Sequence, residues 1–255
     1  MPKLAANLST LFPGVPFLER FAAAARAGFR YVEYQFPYEW DAGEVARRAR
    51  DAGLQVVLHN LPAGDFARGE RGIACLPGRE LDFRQGVERG IEYARTAGCS
   101  RLNCLAGLAP VDAAHFAVLV ENVRYAARQL GAAGMSLVIE AINTRTVPGF
   151  FLSRSAQAVE VLNAAGEGNA FLQYDFFHMQ IMEGDLARTV ERLLPRIGHI
   201  QLADVPGRNE PGSGEINFDF LLRHLDAIGY SGWVGCEYNP RGDTVEGLKW
   251  ARPYL

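Results

Sequence analysis

The chain predicts an α/β fold, a single (β/α)8 TIM barrel over residues 1–255. Three observations predict it. About eight short apolar segments alternate with helical ones within 255 residues, as such a barrel requires. The strand segments are apolar in the manner of parallel strands covered on both faces. The turn after the first strand, NLSTLFPG, lacks the G-x-G-x-x-G of a doubly wound nucleotide fold.

Each element has its own signal. KLAANL (3–8) has strand length, and 15–27 (with FLERFAAAARA) reads as a helix closed by Gly28. YVEYQF (31–36) is a strand rich in aromatic and β-branched residues, followed by a helix over 41–52 closed by Gly53. LQVVLHN (54–60) is the third strand; a long connection separates it from a helix near 81–97 closed by Gly98. RLNCLA (101–106) precedes a helix over about 112–130, and MSLVIEA (135–141) precedes one over 153–164. FLQYD (171–175) is followed by a loop and then a helix over about 185–193; HIQLAD (199–204) is followed by a helix over 218–228 closed by Gly229. WVGCEY (233–238) is the last strand, and a short helix near 244–250 closes the chain. Glycine after a helix supplies the left-handed residue of a C-cap.

Composition narrows the function. Hydrophobic residues make up 49% of the chain, enough for a large core. A net charge of −3 is unlike the basic footprint of a nucleic-acid binder. The four cysteines form no C-x-x-C pair and read as small core residues in a reducing compartment. The start PKLAANLS has no signal-peptide pattern, and no apolar run approaches the ~18 residues of a membrane span. A cytoplasmic protein with no membrane partner is expected. The abbreviated last helix thins one part of the barrel wall and leaves room for a homo-oligomer.

Four strands end in a polar group: Glu140, Asp175, Gln201 and Glu237. A barrel gathers the C-terminal ends of its strands on one rim, where the active site sits. Buried unpaired carboxylates are costly and need a partner. Three carboxylates and an amide on one rim point to a bound divalent cation, and an all-oxygen set favours Mg²⁺ or Mn²⁺. The bland alternative is separate strand-end residues paired with arginines or capping loops. His199 competes with Gln201, because it shares a strand face with it, but it lies deeper.

Four further residues are candidates for substrate binding. His178 opens the loop after Asp175, and His59 ends the third strand; each has the alternative of a satisfied structural histidine. His115 and His224 fall within helical patterns. Two long connections, 59–75 and 204–217, are of a length that is usually functional. They offer Arg71 and Arg208, with Arg68 third, to read a substrate carboxylate; salt bridges to Glu70 or Glu210 are the competing reading. The GSG of the second loop lacks the GK[ST] of a phosphate loop. No Ser-His-Asp or Cys-His arrangement appears. Two glutamates at opposite edges of one metal suit proton removal beside a carbonyl and proton return at the neighbouring carbon. Isomerisation or epimerisation of an α-hydroxycarbonyl compound fits best.

The segments AANLSTLF, VEYQFPYEWD, LHNLPAGDFARGERGIACLPGRE, VIEAIN, QYDFFHMQIMEGDL, GHIQLADVPGRNEPGSGEIN and GWVGCEY resemble the hydroxypyruvate isomerase family, within the xylose-isomerase-like barrels. The resemblance runs nearly end to end. It implies conversion of hydroxypyruvate, a small anionic 2-oxo acid, to tartronate semialdehyde. It also implies catalytic roles for Glu140 and Glu237 and metal positions at those two plus Asp175 and Gln201. Related ketose epimerases carry histidine where this chain has Gln201. Isomerisation of 2-oxo-tetronates is the nearest sister activity. An apurinic-endonuclease-type phosphodiesterase shares the barrel but needs a richer histidine cluster and a basic groove; a non-catalytic barrel has no need of opposed glutamates.

Overall fold

A computed structural model describes residues 2–255. Eight strands form one closed barrel in sequential order: β1 (Lys3–Asn7), β2 (Tyr31–Tyr34), β3 (Gln55–Asn60), β4 (Arg101–Cys104), β5 (Ser136–Glu140), β6 (Ala170–Asp175), β7 (Ile197–Leu202) and β8 (Trp233–Cys236). Every neighbouring pair is parallel, and β8 closes on β1. The predicted (β/α)8 barrel is therefore the observed fold.

The helices lie outside: α1 (Phe17–Arg26), α2 (Ala42–Asp51), α3 (Glu80–Ala97), α4 (Ala113–Ala132), α5 (Ser155–Ala165), α6 (Phe176–Met182), α7 (Leu186–Leu193), α8 (Phe218–Ala227) and α9 (Thr244–Gly247), with a 3₁₀ segment Leu248–Tyr254 at the end. Asp41, Asp112 and Asn217 cap α2, α4 and α8 by accepting backbone N–H groups of the first turn. One helix departs from the sequence reading. The stretch after Asp175 is not a loop but α6, which begins at the next residue and makes His178 its third residue.

The large apolar core fills the layer between strands and helices. Inside the barrel the composition changes along the axis. Ala5, Val57, Leu58 and Val138 pack with Tyr31, Phe171 and Trp233 to plug its N-terminal end. Alternate residues share a face, so β1, β2, β5 and β6 continue inward with Asn7, Glu33, Glu140 and Gln173, and β7 adds His199, all buried. The barrel interior is thus apolar at the bottom and polar at the top. Two ladder irregularities, between Val32 and Glu33 and between Leu172 and Gln173, fall at the entry to this polar half. Such irregularities re-aim the side chains that follow them.

Candidate active site

Glu140 ends β5, Asp175 ends β6, and Glu237 immediately follows β8. All three carboxylates are buried. Glu140 Oε2 accepts from Asn103 Nδ2 at 3.1 Å. Glu237 Oε1 accepts from Gln35 Nε2 at 2.7 Å and from Arg208 Nη2 at 2.8 Å. Asp175 divides its two oxygens. Oδ1 accepts from Phe177 N at 2.7 Å and caps α6, while Oδ2 is buried with no hydrogen-bond partner, 3.7 Å from Arg208 Nη2.

His178 comes to the same point, with Nε2 3.6 Å from Asp175 Oδ2 and 3.8 Å from Glu140 Oε1. Its other nitrogen is held by Asn143, whose side-chain amide lies 2.6 Å away and whose backbone N lies 3.3 Å away. Asn143 Oδ1 accepts from Thr146 N and Oγ1, so its amide nitrogen must face the ring. With Nδ1 as the acceptor, the proton of the neutral ring sits on Nε2 and points into the site.

The electrostatics follow from crowding. Burial pushes the Glu140 carboxyl well above the usual range, and Glu237 and Asp175 add to it. Burial likewise raises Glu237 to about 7, against the opposing pull of Arg208. Asp175 is raised by burial as well. Burial, and secondarily Arg208, hold His178 well below the ordinary imidazole value. Burial alone lowers the Arg208 guanidinium, but Glu237, Asp175 and Glu140 outweigh it and hold it above its usual value. Arg208 adopts φ +54 with its carbonyl accepting from Asn239 N, and its guanidinium lies over the Phe177 ring at 5.1 Å. A non-glycine residue in the left-handed region is strained, a cost met where a side chain must be aimed.

These groups open into a cavity of about 200 Å³ lined by Glu140, His178, Arg208 and Glu237. Gln35, Asn60, Asn103 and Gln173 supply amides, and Phe36, Leu105, Ile142, Val147 and Phe150 form apolar walls. Asn103 Oδ1 and Gln173 Oε1 are buried acceptors with no donor. Arg71 reaches the same cavity over the face of Phe66, at 4.7 Å, with Nη1 donating to the carbonyls of Phe66 and Glu70. Neither competing salt bridge forms. Glu70 pairs with Arg79, and Glu210 accepts from Arg241 N. Arg68 is largely exposed and pairs with Asp65.

Three other candidates do not line the cavity: Asp175, buried behind Arg208 and His178, and His59 and Gln201. His59 is displaced outward. Its ring sits among Tyr34, Tyr38 and Tyr93 in the strand–helix layer, with Nδ1 3.0 Å from its neighbour's carbonyl. Adjacent strand residues point to opposite faces, so Asn60 takes the inward position instead. Gln201 lies beside Asp175 in register, and its amide is engaged below the cavity: Nε2 donates to Glu33 Oε1 at 2.7 Å and Oε1 accepts from Gln173 at 2.6 Å. Glu33, Gln35, Asn60, Asn103, Asn143 and Gln173 were not singled out from sequence. The available signal for Glu33 and Gln35 was their alternation with Tyr31 along one strand face.

The donor set is compatible with a divalent cation. Glu140, Asp175 and His178 offer ligand atoms within 4.8 Å of one another. The unpartnered Asp175 Oδ2 and three buried carboxylates facing one arginine leave uncompensated negative charge. Asn143 assigns the His178 proton to Nε2, so the carboxylates are the stronger ligands and His178 is a donor beside them.

Comparison with known proteins places this geometry in a family. Residues 21–254 match the xylose isomerase-like TIM barrel family. The chain is 48% identical over 257 residues to the hydroxypyruvate isomerase of Escherichia coli K12, with 100% of both chains covered. It is 47% identical to the 2-oxo-tetronate isomerase of Cupriavidus necator, covering 100% of this chain and 99% of that one. The crystal structure of a Brucella melitensis protein called an AP endonuclease of family 2 superposes with a TM-score of 0.98 at 45% identity, over 100% and 99% of the two chains. The chain therefore belongs to the xylose isomerase-like TIM barrel family and, within it, to the hydroxypyruvate isomerase family.

Proposed function

We propose that the protein is an isomerase that converts hydroxypyruvate to tartronate semialdehyde with Glu140 and Glu237 as acid and base. One observation carries this reading. Two buried glutamates, at the ends of strands separated by β6 and β7, line one small cavity with an unpartnered carboxylate oxygen between them. One glutamate removes a proton from C3 and leaves an enediolate over C2 and C3. The other returns a proton to C2, and the hydroxyl proton moves from the C3 oxygen to the C2 oxygen. Burial raises the proton affinity of both carboxyls, and the value of about 7 for Glu237 suits proton exchange near neutral pH.

Glu140, Asp175 and Glu237, with Gln201 beside Asp175, are the residues that would hold Mg²⁺ or Mn²⁺. The bound cation supplies electrophilic stabilisation of the charge that builds on the substrate oxygens. His178 presents Nε2–H to one of those oxygens. Arg71, at the cavity wall and in a salt bridge with no carboxylate among the described residues, reads the substrate carboxylate. Arg208 balances the site's own carboxylates.

A 2-oxo-tetronate is the second reading, favoured by the near-equal identity to the Cupriavidus enzyme. A phosphodiesterase is disfavoured, since among the described residues His178 is the one histidine that joins the acidic cluster. The test is ¹H NMR of the reaction in D₂O, with each substrate, with and without chelator. Deuterium at C2 of the product and loss of turnover in chelator are expected. Clean intramolecular hydrogen transfer refutes the two-glutamate route, and full turnover in demonstrably metal-free protein refutes the cation.

A further inference from the structure

Beneath the cavity lies a carboxylate that the proposed reaction does not use. Glu33 is fully buried in the barrel. Its Oε1 accepts from Asn7 Nδ2 at 2.9 Å and from Gln201 Nε2 at 2.7 Å, and its Oε2 lies 2.6 Å from His199 Nε2. The barrel makes room for it. A Cβ at Gly235 would stand 2.3 Å from both Glu33 oxygens, so glycine occupies this position in β8. The ladder shift between Val32 and Glu33 marks the same place.

Burying a carboxylate is costly even when it is hydrogen-bonded, and a hydrophobic residue of similar volume would stabilise the barrel better. What the carboxylate accomplishes is orientation. An amide has one donor end and one acceptor end. Glu33 Oε1 accepts from Nε2 of Gln201, which turns Oε1 of that amide away. Gln173 Nε2 donates to one lone pair of that oxygen and leaves the other free. Asp175 is the register partner of Gln201, so the backbone of Gln201 stands level with that of Asp175 and its amide lies directly beneath the acidic cluster.

We propose that Glu33 is a positioning residue, which fixes the Gln201 amide so that only its oxygen is offered to the cation. This rests on the cation site proposed above. Outer groups that orient metal ligands typically contribute 10–100-fold to metal affinity. The test is Mn²⁺ binding followed by EPR of free Mn²⁺, on the full chain, for wild type, Glu33→Gln, Gln201→Met and the double variant. Glu33→Gln is expected to weaken Mn²⁺ binding roughly 10–100-fold, and to have no further effect once Gln201 is Met. An unchanged affinity in Glu33→Gln overturns the inference. So does an equal loss in both backgrounds, which would mean that the charge acts on the cation directly. Failure of the wild type itself to bind Mn²⁺ overturns the cation site along with it. If Glu33→Gln does not fold, Glu33→Asp enters the same cycle: it keeps the charge and withdraws its reach from Gln201, with the same outcomes expected.

Discussion

Replacing Glu237 by Gln should stabilise the metal-free protein while abolishing its activity. Burial lifts the Glu237 carboxyl from an ordinary 4.5 to about 7. At ~1.4 kcal/mol per pH unit, holding it ionised costs about 3 kcal/mol relative to the unfolded chain. Glutamine imitates the protonated acid and avoids that cost. The sign follows from proton counting. Below pH 4.5 both folded and unfolded wild type bind the proton, and the two proteins should match. Between 4.5 and 7 the unfolded wild type releases its proton first, so its stability falls relative to the variant. Above 7 the penalty is complete. Removing Glu237 also relieves Glu140, which its charge pushes upward, and this acts in the same direction. For a chain of this size 3 kcal/mol is roughly 6–12 °C in Tm. The assay is thermal unfolding in EDTA from pH 4.5 to 8.5, with urea midpoints as a check. Mn²⁺ should reverse the order by stabilising the wild type more. A metal-free variant no more stable than wild type at pH 8 would refute the reasoning that burial, not pairing with Arg208, dominates this carboxylate.

Glu140→Gln should lower turnover ~10²–10⁴-fold with an unchanged circular dichroism spectrum; more than a tenth of wild-type activity would remove Glu140 from the proton-transfer path. Arg71→Met should raise KM strongly for hydroxypyruvate and little for dihydroxyacetone, which has no carboxylate. Equal small effects on both substrates would assign carboxylate recognition elsewhere, with Arg208 the next group to test.

The barrel was readable because its signals are local and repeated: strand-length apolar runs alternate with helical segments along the chain, and glycines close four of the helices, at Gly28, Gly53, Gly98 and Gly229. Strand-end polar residues were readable because a carboxylate after SLVI or FLQY has no place in an apolar layer. The errors have equally specific causes. QVVLHN is apolar on both faces, so no alternation tells which of His59 and Asn60 points inward; pairing across the barrel decides it. FFHMQIM is one short apolar helix with too little length to show a period, so α6 read as loop. Glu33 and Gln35 alternate visibly with Tyr31, but their meaning depends on strands more than 160 residues away. Arg208 was visible as a loop cation, whereas its contact with Glu237 depends on a left-handed backbone that sequence does not announce.

The two oxygens of Asp175 tie local order to chemistry at one position. α6 has seven residues, too few to persist alone, and it carries His178. Its first turn is anchored by Oδ1, while Oδ2 faces the acidic cluster. Ser, Thr or Asn can anchor a helix start but bring no negative charge; Glu brings the charge on a longer arm that fits the cap poorly. Position 175 thus has two independent demands that aspartate alone meets. Sequence drift here is closed from both sides, because a change that spares the scaffold loses the anion and a change that spares the anion loosens the helix presenting His178.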